Sequence, residues 1–264
     1  MSQGLIIKPQ GLVRQASGRW GDGVGVLWTP ASIGGELYWW RTDLADVTLE
    51  VGDVVSHWLD KIVGWDAAQA NNTFRPAYKT GVDGINGQPV IRGDGADDYL
   101  KTAAFTSAIT QPFTVWCVAT IASDNNLSRF LATGLETNRT IYSHRYVVDA
   151  NEKCYQLNFG TVLNGALNSL DAAGTPVFHL MITEYGLPDT PNVDNLWANG
   201  VLKVTGNAGT SALTGLTLFS IWSGTGFFSD SKIAEIGIVS GIISAADQAL
   251  LEAYVQSRYG IAAW

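Results

Sequence analysis

The feature that most constrains this chain is a series of short apolar runs, separated by turn signals, that begins at residue 37. In the run at residues 177–186, Phe178, Leu180 and Ile182 alternate with a mixed set of residues, which gives one apolar and one mixed face. Many short runs of this kind between turns indicate an all-β fold. We predict strands at residues 113–122, 129–134, 141–148, 154–160, 177–186, 195–204, 216–222 and 232–241.

Asn-Gly dipeptides mark the sharpest predicted turns. They are Asn86–Gly87, Asn164–Gly165 and Asn199–Gly200. Asn and Gly tolerate the positive φ angles that tight hairpins require. Each dipeptide is therefore predicted to form a hairpin tip or a corner.

A single segment, residues 244–260, has a helical period. Ser244 and Asp247 fit a capping box, and Gly260 suits the left-handed position after a helix. The predicted apolar stripe consists of Leu250, Leu251, Tyr254 and Val255. The sequence thus predicts one C-terminal helix that packs against a β core.

Residues 1–36 are rich in glycine and have no sustained period, which predicts an extended N-terminal arm in front of a domain at residues 37–264. Terminal segments are ordered only where something holds them, so we expect the arm to dock on its own domain or on a neighbouring subunit. The apolar arm residues expected to make that contact are Leu5, Ile6, Ile7, Leu12, Val13 and Trp20.

The charge and the apolar runs exclude several partners. A net charge of −8, without clusters of Lys and Arg, argues against a nucleic-acid partner, because such binding neutralises phosphates with basic side chains. No apolar run is long enough for a membrane span, and Leu5-Ile6-Ile7 is too short for a signal peptide. We therefore expect synthesis in the cytoplasm, no membrane partner, and buried thiols at Cys117 and Cys154.

Two parts of the chain resemble the concanavalin A-like, laminin-G-like jelly-roll domains that are found in bacteriophage virion proteins. In the N-terminal part the matching residues are Trp58, Asp60, Gln69, Arg75, Pro76, Tyr78, Asn86, Gly87, Pro89, Asp94, Gly95, Asp98, Tyr99 and Leu100. Residues 233–261 resemble the closing strand, the Ser-capped helix and the terminal Tyr-Gly of the same domains. The resemblance implies a two-sheet antiparallel jelly-roll sandwich, and it says little about function because such sandwiches host many activities.

The tripeptide Arg92-Gly93-Asp94 is one that some adhesion receptors bind. Gly93 stands where similar domains commonly have a Phe, and the apolar stretch at residues 62–65 replaces their Gly/Asn-rich turn. We therefore interpret the tripeptide as chance composition within a hairpin and not as a receptor ligand.

The carboxylates of Asp94, Asp97 and Asp98 are the candidate metal ligands. Their spacing is not that of an EF-hand loop, and no Glu closes it. We predict that one of them caps a turn and that no metal or cofactor is bound. The resemblance leaves calcium open as an alternative, since some laminin-G-like domains bind it at the rim of the sandwich.

No catalytic residues are predicted. A retaining glycosidase needs two nearby carboxyl groups, whereas Glu152, Glu184 and Glu235 each stand alone. The histidines have no metal-ligand spacing, and no nucleophile turn or phosphate loop occurs. The chain is predicted not to be an enzyme.

Aromatic residues supply the candidate ligand-binding positions, because sugar rings stack on exposed aromatic faces. Trp65 and Trp222 lie in turn-like contexts, and Tyr142, His144 and Tyr146 recur with a period of two along one predicted strand. We expect four other tryptophans to be core residues: Trp39, Trp58, Trp116 and Trp197.

The resulting functional prediction is a non-enzymatic structural or decoration protein of a bacteriophage virion, in the head or the tail, that assembles with other subunits through its arm. The alternative is a carbohydrate-binding module for a host-surface glycan. A glycoside hydrolase is the third and least favoured hypothesis.

Overall fold

The structure, a computed structural model, describes residues 28–120, 129–134, 139–146, 153–166, 169, 171–183, 193–221 and 224–262. Its strands are β1 (Glu36–Arg41), β2 (Val47–Glu50), β3 (Val54–Leu59), β4 (Asp66–Ala68), β5 (Ala77–Gly81), β6 (Gly87–Arg92), β7 (Leu100–Thr102), β8 (Phe113–Thr120), β9 (Arg129–Thr133), β10 (Arg139–Tyr146), β11 (Lys153–Phe159), β12 (Val162–Asn164), β13 (Pro176–Ile182), β14 (Asp194–Ala198), β15 (Val201–Gly206), β16 (Thr217–Leu218) and β17 (Lys232–Ser240). One α-helix, α1 (Ala245–Tyr259), follows them. Short 3-10 turns lie at Pro30–Ser32, Leu44–Asp46 and Asn72–Phe74. The predicted all-β class with one C-terminal helix is confirmed.

The strands form a sandwich of two antiparallel layers. The first layer runs β15–β14–β13–β8–β17, and the far edge of β17 pairs with both β1 and β6. The second layer runs β2–β3–β4–β7–β16–β9–β10–β11–β12. Strand β5 pairs with both β3 and β6, so it joins the two layers at one corner.

Two apolar cores hold this arrangement together. The larger core lies between the layers and includes Trp40 and Val115 from the first layer and Trp58 and Leu157 from the second. The smaller core lies between the outer face of the first layer and α1. Because the first layer is covered on both faces, all eight residues of β8 are buried, as in strands that are packed from both sides.

The predicted core tryptophans behave largely as expected. Trp39, Trp58 and Trp116 are buried, and Trp197 is half-buried against the smaller core. Both cysteines, Cys117 and Cys154, are buried and form no disulfide within the described part of the chain.

The helix begins and ends where its sequence signals predict. The hydroxyl of Ser244 accepts a hydrogen bond from the backbone N–H of Asp247, 3.1 Å away, and so caps the first turn. Gly260 adopts a left-handed φ of 67°, and its N–H donates to the carbonyl of Gln256 at 3.0 Å. None of the helices among the described residues combines the length and the apolar character needed to span a membrane.

Two of the predicted hairpin tips are confirmed. Asn86–Gly87 connects β5 to β6 and Asn199–Gly200 connects β14 to β15, and all four residues have positive φ. Asn164–Gly165 is not a hairpin tip, because among the described strands β12 pairs with β11 alone and the N–H of Gly165 still donates to the carbonyl of Tyr155 on β11; the alternative of a corner stays a prediction. A Cβ atom on Gly165 would lie 2.3 Å from the carbonyl oxygen of Lys203, so glycine is needed for close packing rather than for a turn.

The described chain begins beside the helix. Trp28 packs edge-to-face on Tyr254, with 6.1 Å between ring centroids, and Pro30 and Ile33 are buried. Residues 28–33 therefore belong to the packed body. The six arm residues Leu5, Ile6, Ile7, Leu12, Val13 and Trp20 lie outside the described residues, so the docking of the arm stays a prediction.

Candidate functional site

An open depression of about 600 Å³ lies beside β4 and β7 of the second layer. It is formed by the β3–β4 loop, by β4 with the residues after it, and by the end of β7. Its lining consists of Val63, Gly64, Trp65, Asp66, Ala68, Ala70, Lys101, Thr102 and Ala103. Small apolar residues thus form much of the surface, and Trp65, Asp66 and Lys101 supply an aromatic ring, a carboxyl group and an ammonium group.

Strand pairing explains why these side chains meet. Ala68 of β4 pairs with His57 of β3 on one side and with Lys101 of β7 on the other. Side chains alternate between the faces of a strand, so Asp66 and Ala68 lie on the outer face, whereas Ala67 points into the core and is fully buried. Of the three residues of β4, Asp66 and Ala68 therefore line the depression and Ala67 does not.

Trp65, one of the predicted ligand-binding residues, lines the depression and is half-buried. Its indole stands edge-to-face on Tyr38 and Phe105, with centroid distances of 6.3 and 5.8 Å. Those two rings stack on each other at 4.3 Å. The orientation of the Trp65 ring is thus fixed by a buried aromatic pair beneath it.

The loop that carries Trp65 is organised by Asp60, which is 4% exposed. Its Oδ1 accepts hydrogen bonds from the backbone N–H groups of Ile62 at 2.8 Å and Val63 at 3.2 Å. Its Oδ2 accepts from the N–H of Trp65 at 2.6 Å. This role of Asp60 was not predicted from the sequence, although an Asp at the start of a short turn is a signal for such bonds.

Asp66 is the acid of the depression. Its Oδ2 lies 2.5 Å from Nδ1 of His57, two positions along the adjacent strand. Its Oδ1 is buried and has no hydrogen-bond partner among the described residues. Buried polar atoms are normally hydrogen-bonded, so this oxygen has acceptor capacity that a ligand reaches only when the partly exposed side chain rotates. The pair was not predicted from the sequence, because His57 and Asp66 are nine residues apart and meet only through the pairing of β3 with β4.

The acidic cluster of Asp94, Asp97 and Asp98 lies in the β6–β7 loop, with one ligand atom of each within 4.8 Å of the others. Oδ1 of Asp94 accepts from the N–H groups of Ala96 at 2.8 Å and Asp97 at 3.2 Å, which is the predicted turn cap. Asp98 accepts from the N–H of Asp94 at 3.0 Å. Burial, and secondly the charge of Asp94, raise the pKa of Asp98 to about 7.

This cluster does not fit calcium well. A calcium ion takes six to eight oxygen ligands. The cluster offers three carboxyl groups, and Asp94 and Asp98 already accept backbone N–H groups within the turn. The arrangement is that of a capped turn, and the absence of a bound metal stays a prediction.

Gly93, within the Arg-Gly-Asp string, is a packing position. A Cβ atom here would lie 2.2 Å from the carbonyl oxygen of Ser229 and 3.1 Å from Cβ of Phe219. Phe219 is fully buried in the larger core. The glycine therefore lets the end of β6 approach the segment before β17. This packing role agrees with the interpretation that the Arg-Gly-Asp tripeptide is part of the fold and not a receptor ligand.

The remaining candidates are only partly described. Trp222 lies outside the described residues, as do Glu152 and Glu184. Tyr142, His144 and Tyr146 lie on β10, and their side chains lie outside the described part of the structure. The backbone register of β10 against β9 shifts between Thr140 and Tyr142 and again between Tyr142 and Ser143, and the role of the three side chains stays a prediction.

Glu235, the remaining isolated glutamate, is fully buried between the first layer and α1. It accepts hydrogen bonds from Nε1 of Trp39 at 2.5 Å, from the hydroxyl of Tyr254 at 2.8 Å, and from the hydroxyl of Tyr259. Burial raises the pKa of Glu235, which these three donors partly offset. A carboxyl group enclosed in this way is in contact with the helix and not with the depression.

Comparisons with known proteins bear on the fold. No protein-family model matches this chain, and no curated protein matches it. Among solved structures, the ligand-binding domain of botulinum neurotoxin serotype D, in complex with N-acetylneuraminic acid, is 12% identical with a TM-score of 0.54. The match covers 86% of this chain and 52% of that one, so the chain spans about half the length of this neurotoxin domain.

Two further structures are similar. Domain 4 of AbnA, an extracellular GH43 arabinanase from Geobacillus stearothermophilus in complex with arabinotriose, is 12% identical with a TM-score of 0.51, over 80% of this chain and 95% of that one. The sialidase of Trypanosoma rangeli, in complex with the inhibitor DANA, is 10% identical with a TM-score of 0.51, over 80% of this chain and 32% of that one. At these identities the likeness shows the fold alone, a β-sandwich compatible with the predicted jelly roll.

Proposed function

We propose that this protein is a carbohydrate-binding module and that a glycan binds in the depression beside Trp65. The observation that carries the proposal is the placement of the half-buried Trp65 ring, fixed by Tyr38 and Phe105, next to Asp66 and Lys101 in one open concavity. A sugar presents an apolar face that stacks on an aromatic ring and hydroxyl groups that bond to polar side chains. The depression offers both kinds of contact.

The polar groups suit hydroxyl recognition. The carboxyl group of Asp66, whose side chain is 33% exposed, can accept from a sugar hydroxyl, and the exposed side chain of Lys101 can donate to a ring or hydroxyl oxygen. Small residues at positions 68, 70 and 103 leave room for a ring above the strands. Ligand sites of this type combine an apolar surface with a few fixed polar groups.

The structural comparisons support this choice over the other hypotheses. Two of the similar structures were solved with a sugar ligand, N-acetylneuraminic acid in the neurotoxin domain and arabinotriose in domain 4 of AbnA. One of these sugars is acidic and the other is neutral. The experiment therefore tests both acidic and neutral sugars.

The experiment is calorimetric titration of the full chain with sialyl-oligosaccharides and with arabino-oligosaccharides, followed by Trp65→Ala. We expect saturable binding of one class, and a roughly tenfold or larger loss of affinity in the variant because the stacking surface is removed. Trp197→Ala is the matched control, since Trp197 is also half-buried but lies in the first layer. Unchanged affinity in Trp65→Ala would show that the glycan does not bind at Trp65. If neither class of oligosaccharide binds, the proposed function is wrong.

We propose binding without turnover, so the bound oligosaccharide should be recovered intact after long incubation. Release of shorter sugars would favour the glycoside hydrolase hypothesis. In that case a single substitution at Asp66 should abolish the release, because Asp66 is the carboxylate of the depression.

The role as a structural or decoration protein of a virion stays a prediction. It rests on the resemblance to laminin-G-like domains of phage particles and on the arm, whose contact residues lie outside the described part of the chain. A carbohydrate-binding module on a particle surface would satisfy both hypotheses. Its partners would then be other virion subunits through the arm and a host glycan through the depression.

A further inference from the structure

The β3–β4 loop at residues 60–65 is the element that carries the stacking residue of the proposed site, so what fixes this loop decides whether the site is formed in advance. The inference below rests on the proposed function. A ligand site binds more tightly when its contact groups are already held in the bound arrangement, because less ordering is needed on binding.

The backbone closes the loop at its two ends. The N–H of Asp60 donates to the carbonyl of Trp65 at 2.8 Å, and the N–H of Lys61 donates to the carbonyl of Trp39 on β1 at 2.7 Å. The ammonium group of Lys61 also pairs with Asp43, at 3.2 Å, and with Asp46. The loop is thus attached both to itself and to the first layer.

The interior of the loop is held by the side chain of Asp60. Three loop N–H groups, those of Ile62, Val63 and Trp65, converge on its two carboxylate oxygens. Hydrogen bonds to an ionised acceptor are about twice as strong as neutral ones, and the 2.6 Å bond to Trp65 is the shortest of the three. The backbone nitrogen of Trp65 is therefore bound on one side while its ring is supported on the other.

We infer that Asp60 is a positioning residue for glycan binding: it holds the backbone of Trp65 so that the indole stands on Tyr38 and Phe105 and faces the depression. Asp60 is not among the residues that line the depression, so it would not touch a ligand bound there. Its effect passes through the N–H of Trp65. Without it the loop would have three backbone donors to satisfy elsewhere, and the ring would lose its fixed orientation.

The test is Asp60→Asn, which preserves the size of the side chain but replaces one acceptor oxygen by an NH₂ group. Whichever way the amide is oriented, at least one of the three loop N–H groups then faces a donor. We expect roughly tenfold weaker binding of the sugar that the unaltered protein binds. We also expect the backbone amide proton of Trp65 to move upfield in ¹H–¹⁵N spectra and to exchange faster with solvent.

Val239→Ala is the control for a general loss of stability. Val239 lies in the smaller core on β17, away from the loop, so its truncation should lower the melting temperature without altering the Asp60 bonds. This variant should retain the affinity of the unaltered protein and an unchanged Trp65 amide. Equal losses of affinity in both variants would overturn the inference, because the effect would then be one of stability.

The experiment distinguishes a wrong role for Asp60 from a wrong proposed function. If the unaltered protein binds the sugar and Asp60→Asn binds it equally well, the inference is wrong and the function stands. If no sugar binds, the function is wrong, and the amide of Trp65 still reports on Asp60. A changed amide would then support its positioning role, and an unchanged amide would overturn it.

Discussion

Glu235 on β17 accepts a hydrogen bond from the hydroxyl of Tyr254 on α1, 2.8 Å away, across the interface between the first layer and the helix. The indole of Trp39 and the hydroxyl of Tyr259 donate to the same buried carboxyl group. A buried charged or polar group costs free energy unless it is hydrogen-bonded, so this cluster couples the position of the helix to two neighbouring strands. Helix attachment thus depends on polar contacts as well as on the smaller apolar core.

Removing one donor should weaken this attachment. In Tyr254→Phe the ring that packs on Trp28 is kept, but a hydrogen bond to the buried carboxyl group is lost. We expect the free energy of unfolding, measured in urea, to fall by about 1.5–3 kcal/mol. Tyr99→Phe is the matched control, since Tyr99 stacks on Phe74 through its ring, and it should change the value by less than about 0.5 kcal/mol. Equal effects of the two variants would argue against the role of Glu235.

The raised pKa of Asp98 predicts a pH dependence of stability. The folded state retains the proton up to about pH 7, whereas the unfolded chain releases it near 3.8, its usual value. The unfolded state therefore binds fewer protons in this window, and stability should fall as pH rises from about 4 to about 7 and level off above it. Thermal unfolding over this range should show a shallower fall for Asp98→Asn.

Asp97→Asn tests whether the effect is specific to the buried carboxyl group. Asp97 is a minor cause of the shift at Asp98, so this variant should keep most of the pH dependence. A flat profile in both variants would assign the effect to the charge of the loop as a whole. Equal slopes in the unaltered protein and in Asp98→Asn would show that Asp98 does not contribute to the pH dependence.

The packing role of Gly93 predicts a large effect for a small substitution. In Gly93→Ala the new Cβ would lie 2.2 Å from the carbonyl oxygen of Ser229, so either β6 or the segment before β17 has to move. We expect a loss of about 2 kcal/mol or more in the free energy of unfolding, as for other overpacked sites. Gly34→Ala, where a Cβ meets nothing within 4 Å, should be nearly neutral. Similar stability of both variants would contradict the close approach.

The packing of residues 28–33 predicts where the arm can be removed. A chain that starts at residue 28 should melt like the full chain, because Trp28, Pro30 and Ile33 are all retained. A chain that starts at residue 37 loses the buried Ile33 and should be less stable by about 2 kcal/mol or more. Light scattering on the chain that starts at residue 28 then tests the arm alone. Loss of assembly relative to the full chain would support a docking arm, and identical oligomeric states would count against it.

Local signals in the sequence were sufficient for the class of the fold. Residue alternation predicted most of the strands after residue 113, and the caps at Ser244 and Gly260 predicted the helix, because each depends on the backbone and its nearest neighbours. The single strand predicted at residues 195–204 was wrong, since the chain forms β14 and β15 there, and β1 to β7 were not among the predicted strands. Asn86–Gly87 was predicted correctly for the same reason. Asn164–Gly165 is the same dipeptide but forms no hairpin tip. Gly165 is needed there because the backbone of Lys203, which is distant in the sequence, approaches it closely.

By itself, then, the sequence determined the all-β class, the single capped helix and Trp65 as a candidate binding residue. Tertiary structure alone decided that Asp66 meets His57, that Lys101 lies across from Ala68, and that Glu235 is enclosed by the helix. Strand and helix signals repeat every two to four residues, so they can be read locally. A site is assembled from strands that are distant in the chain, and their neighbours follow from the pairing order of the folded sheet.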